Sequence, residues 1–354
     1  MNFYSLRLFF LLAFLSIFFS GYSATFTSTQ SGDWDVGTTW VGSVAPGPTD
    51  DVVIAAGHTV TLTGPETIDF IVINFGGFFD YDGNVLTVTT PASISPFISV
   101  KNGDWDIGTT WLNTTAPSST DDAFIAPDHT VFLNASTTID DVTISAGAVV
   151  YTLVRTFTVD GSLIHNGTYF IQNNSNKHFT MNGTSVSGTG TVQLEGTGAA
   201  GNNIIFNNDI TVESGSRLKM ITVLGGEVQV TPGFTVTNEG EIEITGNLVE
   251  GGGAGTGTWE QGSNSILLLK NEVTDIVLDA SSNTPNTVDY NGLTDQTLYI
   301  PSSSTYNNLT LSGSGTKTVT SDGDLTISGD LTINESVVFD VDLDDTGAVS
   351  ALTI

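Results

Sequence analysis

Two tryptophans, a pair of aspartates and a histidine occur twice in the same order and at one fixed offset. The first copy reads "GDWDVGTTWVGSVAPGPTDDVVIAAGHTVTL" from Gly32. The second reads "GDWDIGTTWLNTTAPSSTDDAFIAPDHTVFL" from Gly103. The alignment needs no gap and holds 19 identities in 31 positions. Each residue type could do chemistry: carboxylate pairs as acid and base, histidine as base or metal ligand, tryptophan as a platform for a sugar ring. A third group, Asp340, Asp342 and Asp344 in "FDVDLDDTG", has the alternation that would set three carboxylates on one outward face. Like charges so spaced repel, and calcium with its hard oxygen ligands would relieve them.

Spacing weighs against most of these roles. In Asp50–Asp51 and Asp121–Asp122 adjacent residues of an extended chain point to opposite faces, so the two carboxylates do not converge on one bond. The "PTDD" and "STDD" contexts favour turn capping, with Asp51 and Asp122 in structural roles. His58 and His129 fall in phase with Val60 and Leu62, and with Val131 and Leu133. That predicts a buried neutral imidazole bonded to a turn carbonyl or to Asp51 or Asp122. One histidine per copy is too few for zinc, which needs three or four converging ligands. Trp40 and Trp111 are candidate glycan platforms. The intact glycines of "GDWDxGTTW" favour instead a fixed apolar wedge built from Trp34, Trp40, Trp105 and Trp111.

Composition narrows the function classes. Residues 1–24 hold Arg7, an apolar run from Leu8 to Phe19 and small residues at Ser23 and Ala24, the pattern of a secretory signal peptide. No later apolar run has the length of a transmembrane helix. Setting Arg7 aside, seven basic residues face 38 acidic ones, a net charge near −31. Nucleic acid is ruled out as a partner on that balance, and an anionic lipid surface is disfavoured. There is no cysteine, hence no disulfide and no thiolate. The basic residues Lys101, Arg155, Lys177, Arg217, Lys219, Lys270 and Lys317 are scattered singly, and no Ser–His–Asp set emerges from spacing. The glycine run Gly251–Gly257 has no following Lys–Ser/Thr to make it a phosphate cradle.

Helical periodicity is nearly absent. Short alternating runs such as "HTVTLT", "EVQVT", "EIEITGNL" and "LTISGDLTIN" are bounded by Gly, Asn, Asp or Pro and predict half-buried strands. Repetition at fixed offset signals stacked units. The offset between Gly32 and Gly103 divides into three turns of similar length, and Phe157 recurs as Phe179 at about the same interval. A parallel β-helix with about 22–24 residues per coil is therefore expected, with an antiparallel sandwich as its rival. The organisation expected is a signal peptide at 1–24, Trp-containing repeats at 25–100 and 101–156, and a plainer ladder over 157–354.

The repeat resembles the Trp…Trp…Pro…Asp-Asp-x-x-Ile…Gly-His-x-Val-x-Leu motif of secreted surface proteins of Bacteroidetes-type bacteria. It is distantly similar to the eight-glycine extracellular domain. "TYNNLTLSGSGTKTVTSDGDLTISGDLTINESVVFDV" is similar to the ladder segments of those proteins. The resemblance implies a right-handed parallel β-helix, adhesin-like proteins and, commonly, a C-terminal type IX sorting domain. No such domain is recognisable before "VSALTI", which suggests a partial chain. Hydrolases and lyases built on β-helices carry Asn-Thr-Asp or Gly-His-Gly motifs or clustered basic residues, and these are missing here. The reading is a non-catalytic, secreted stalk or adhesin module at the bacterial outer surface, with an extracellular glycan or surface partner. The alternative is a carbohydrate-binding or polysaccharide-degrading exoprotein using one flank of the coil.

Overall fold

The computed structural model describes residues 24–74, 77–89, 96–112, 114–152, 155–172, 177–195, 202–222, 226–319, 324–341 and 352–353. The leader expected at 1–24 lies outside them except for Ala24. The chain is all-β. Among the described residues helical structure is confined to two 3-10 turns, Gly37–Thr39 and Gly108–Thr110. No helix there is long and apolar enough to cross a membrane.

Contacts divide the chain into residues 1–96 and residues 97–354. In the first unit Thr25–Thr27, Asp51–Ile54 and Phe70–Ile73 form one parallel sheet. Gly32–Asp33, Thr59–Thr61 and Phe78–Asp80 form a second. In the second unit parallel sheets of eleven, nine and seven strands carry most of the coils. The eleven-stranded sheet begins at Gly103–Asp104 and Thr130–Phe132 and ends at Leu331–Ile333. The second tryptophan copy is thus continuous with the ladder that follows it. Each unit is a parallel β-solenoid. The sandwich alternative falls because every strand-to-strand ladder among the described residues is parallel. The two antiparallel contacts there are isolated bridges, Ser28 with Trp40 and Ser99 with Trp111.

The sequence forms these strands because alternation matches the pleat. In Glu227–Val230 and Glu241–Ile244, Val228, Val230, Ile242 and Ile244 are 0% exposed while the intervening glutamates and Gln229 face outward. Register keeps like on like: Leu218 sits beside Ile242, Ile242 beside Leu267, and Leu267 beside Val288. Coil length is less regular than its mean. The coil from Phe26 to its partner Val52 is longer than the next, from Val52 to Ile71. The coil from Ala123 to Val142 is likewise short, and that from Val192 to Met220 is long. The extra residues lie in corners, and the strands keep their pairing.

Corners need special backbone. Gly57 has φ +78°, and Asp128, which holds the same place in the second copy, has φ +60°. Aspartate is one of the few side chains that tolerate this left-handed turn. The interior also contains a charge. Lys317 is 0% exposed, and its Nζ donates to the carbonyls of Gly292 (2.9 Å) and Thr294 (3.1 Å) and to Gln296 Oε1 (2.6 Å). Three donors meet three acceptors, which satisfies the ammonium. Burial still lowers its pKa, opposed by the Asp289 and Asp295 carboxylates.

His165 is the contrasting case. It is 1% exposed, and neither ring nitrogen has a hydrogen-bond partner. Burial opposes the charged ring and the Thr191 backbone favours it. Burial dominates and lowers the imidazole pKa to about 4. A neutral buried histidine takes up a proton on unfolding, so stability falls as pH drops from about 6.5 towards 4. The loss is roughly 3 kcal/mol once pH has passed through that window. His165→Leu is expected to flatten the urea-midpoint profile between pH 6.5 and 4 relative to wild type. An unchanged profile would contradict this assignment.

Candidate functional site

The duplicated residues build a corner, and the two copies build it alike. After Asp33 the chain turns through Gly37–Thr39 and returns so that Trp40 pairs with Ser28. Trp40 Nε1 donates to the Trp34 carbonyl at 2.7 Å, and Trp111 Nε1 to that of Trp105 at 2.8 Å. Within each pair the rings meet edge to face at 5.0 Å. Trp34 then packs on Phe79 and Trp105 on Phe157. Thr39 Oγ1 donates to the Asp33 carbonyl and Thr110 Oγ1 to that of Asp104. A side chain at Gly37 would lie 2.3 Å from the Ser43 carbonyl, and one at Gly108 2.1 Å from that of Thr114. Backbone contact this close admits only glycine.

Trp40 and Trp111, the candidate sugar platforms, are each 1% exposed, and Trp34 and Trp105 are 1% and 4% exposed. No ring face is open to a ligand, which removes the stacking role considered for them. Indole area buried in this way holds the corner together.

The histidines differ from expectation in exposure and in partner. His58 and His129 are half-buried, and each Nδ1 lies 2.9 Å from a serine hydroxyl, Ser28 or Ser99, rather than from Asp51 or Asp122. The same hydroxyls accept the N–H groups of Ala55 and Ala126 at 2.9 Å. Each hydroxyl, with one proton and two lone pairs, thereby joins an alanine N–H to the imidazole Nδ1. Burial lowers the pKa of His129, opposed by a hydrogen bond to the Ser99 backbone and by the Asp128 charge. A serine beside an imidazole has the outline of a nucleophile and base. Ser28 and Ser99 are 3% and 0% exposed, however, and a substrate carbonyl has no approach to them.

In each aspartate pair it is the first residue whose side chain caps the turn. Asp50 Oδ2 accepts the Gly47 N–H (2.7 Å), and Asp121 Oδ2 accepts both the N–H and the hydroxyl of Ser118 (2.7 Å each). Asp51 opens a strand. Asp122 Oδ1 accepts the Asp141 N–H at 3.4 Å. Burial raises the Asp122 pKa, and the charges of Asp141, Asp140 and Asp121 add to that effect. Asp340 ends the strand Val337–Asp340, while Asp342 and Asp344 lie outside the described residues. Among the described residues no three His, Cys, Asp or Glu side chains group to hold a metal ion.

The structure adds a surface that residue-type spacing overlooked. On the outer face of the eleven-stranded sheet, Phe132, Tyr151, Phe170 and Gln193 stand in register on four successive coils. Phe132 meets Tyr151 edge to face (5.7 Å, 74°), and Tyr151 stacks on Phe170 (5.5 Å, 17°). Tyr151 OH donates to Gln172 Oε1 at 2.5 Å. The parallel column is Thr130, Val149, Thr168 and Thr191. Farther along the same face Arg217 lies 3.6 Å from Glu241, while Lys219 and Lys270 flank Glu243 at 3.5 and 2.5 Å. Burial pushes the Glu243 pKa up, but these two cations outweigh it and hold the carboxyl below its ordinary value. The signal was present in the alternation of "VVYT" and "TYFIQ", which places Tyr151 and Phe170 outward.

Removing Ser99 Oγ takes the acceptor from the buried Ala126 N–H and a hydrogen bond from His129 Nδ1. Ser99→Ala is expected to cost about 1–3 kcal/mol in urea unfolding. Trp111→Ala is expected to cost about 3–5 kcal/mol, a core-sized loss that a surface platform would not show. Comparison with family models, curated proteins and solved structures returned no match, so the functional reading rests on this geometry.

Proposed function

We propose that the chain is a non-catalytic β-helix module of a secreted, cell-surface protein, serving as a stalk or adhesin segment. The observation that carries this reading is the use made of the duplicated side chains. In both copies the tryptophans close a corner and the histidine fastens a serine. The indole bonds measure 2.7 and 2.8 Å, and both imidazole contacts measure 2.9 Å. Groups that could do chemistry are thus committed to holding one coil to the next. The strong acidic excess favours solubility outside a cell. The leader pattern at residues 1–24 supplies the route of export.

Two measurements test the reading together. Protease added to intact producing cells is expected to degrade the protein, whereas protection until lysis would place it inside and overturn the assignment. Incubation of the purified chain with neutral and acidic polysaccharides is expected to yield neither new reducing ends nor unsaturated products. Turnover of any of them would replace the stalk by an enzyme.

A further inference from the structure

The first and second tryptophan copies differ on one outer surface, and the difference is chemical. The alignment that sets Gly32 on Gly103 sets Thr61 on Phe132 and, continued without a gap, Asp80 on Tyr151. Thr61 and Asp80 are register partners in the first unit, just as Phe132 and Tyr151 are in the second. One copy therefore carries a hydroxyl and a charge where the other carries two aromatic rings. The corners beneath are the same in both copies, so building the corner does not require the rings.

Charge is distributed to match. The chain has 38 acidic residues, yet the outward positions from Thr130 and Phe132 through Thr191 and Gln193 are uncharged over four coils. Carboxylates border the strip, with Asp104 in register beside Phe132 on the preceding coil and Asp289 farther along. Between them Glu241 and Glu243 are met by Arg217, Lys219 and Lys270. Three of the seven basic residues that follow the leader thus gather at this one sheet. Phe132, turned 74° from Tyr151, keeps 37% of its surface open, whereas Tyr151 and Phe170 are half-buried against each other.

From these features we infer that the outer face of the eleven-stranded sheet, centred on Phe132, Tyr151 and Phe170, docks an extended neutral polysaccharide. An aromatic ring beside hydroxyl and amide side chains suits the apolar face and hydroxyl rim of a sugar ring. An uncharged strip bordered by Asp104 and set in an acidic protein admits a neutral polymer, while the surrounding carboxylates repel a polyanion. The strand repeat offers each successive sugar a similar environment. This inference rests on the proposed surface role and names the class of partner for it.

The test is affinity electrophoresis of the full chain through gels containing laminarin, xyloglucan, mannan or polygalacturonate, each probed separately. Retardation by at least one neutral polymer is expected, with a Kd at least tenfold weaker for Phe132→Thr, which installs the residue of the first copy. Phe170→Thr is expected to act in the same direction. Leu293→Ser, at a 76% exposed position off the aromatic columns, is expected to leave binding unchanged. Circular dichroism and the urea midpoint establish that each variant is folded. No retardation by any neutral polymer would overturn the inference. So would retardation indifferent to both phenylalanine substitutions, or retardation by polygalacturonate alone. None of these results would touch the non-catalytic reading, which fails only if a probe polymer is cleaved or the protein proves intracellular.

Discussion

Parallel pairing between successive coils is the constraint from which the rest of the molecule follows. Each strand's backbone donors and acceptors are satisfied only by the coil before and the coil after. That demand fixes the pitch and places equivalent residues side by side, so inward positions must be apolar at every level. Val236, Leu278 and Val288 are 0% exposed for this reason, although the coils around them differ in length. Among the described residues, ionisable side chains enter the interior with a full set of partners, as at Lys317, or in neutral form, as at His165. The energetic logic is that of repeat proteins, with stability summed over neighbouring units.

The same pairing explains why the duplicated residues have structural work. A corner that turns too sharply for plain strand needs its backbone groups bonded and its bend filled. Trp40 and Trp111 each do both, with an indole ring for the bend and an Nε1–H for a carbonyl. Ser28 and Ser99 reach from one coil to the next and join Ala55 or Ala126 to the following histidine. Surface chemistry is then left to the outward positions, which pairing does not constrain and which differ between the two copies.

Much of the fold was legible because alternation and burial share a period of two. "EIEI" and "EVQV" announce their inward valines and isoleucines without help from distant residues. The corner was legible in part: glycines and tryptophans at fixed spacing signalled a rigid wedge. The partner of His58 was not, since Ser28 lies a full coil earlier, upstream of the aligned block that starts at Gly32. Pairing across a coil depends on coil length, and coil length varies. The capping roles of Asp50 and Asp121, rather than Asp51 and Asp122, turn on which residue of a doublet precedes the strand, a boundary that pattern alone leaves loose. The aromatic strip was hidden for a different reason: Phe132, Tyr151 and Phe170 belong to three separate coils, far beyond the reach of any local motif.

Unequal coils let such a chain remodel its relief without disturbing its lattice. Residues beyond those of the shortest coils lodge at bends, where closing a longer loop costs only slowly more. Insertions there would alter the outer contour while the inner columns stay aligned, so lineages could diversify their exteriors by trading bends. The tryptophan corner is a large bend of this kind, fastened well enough to behave as a module.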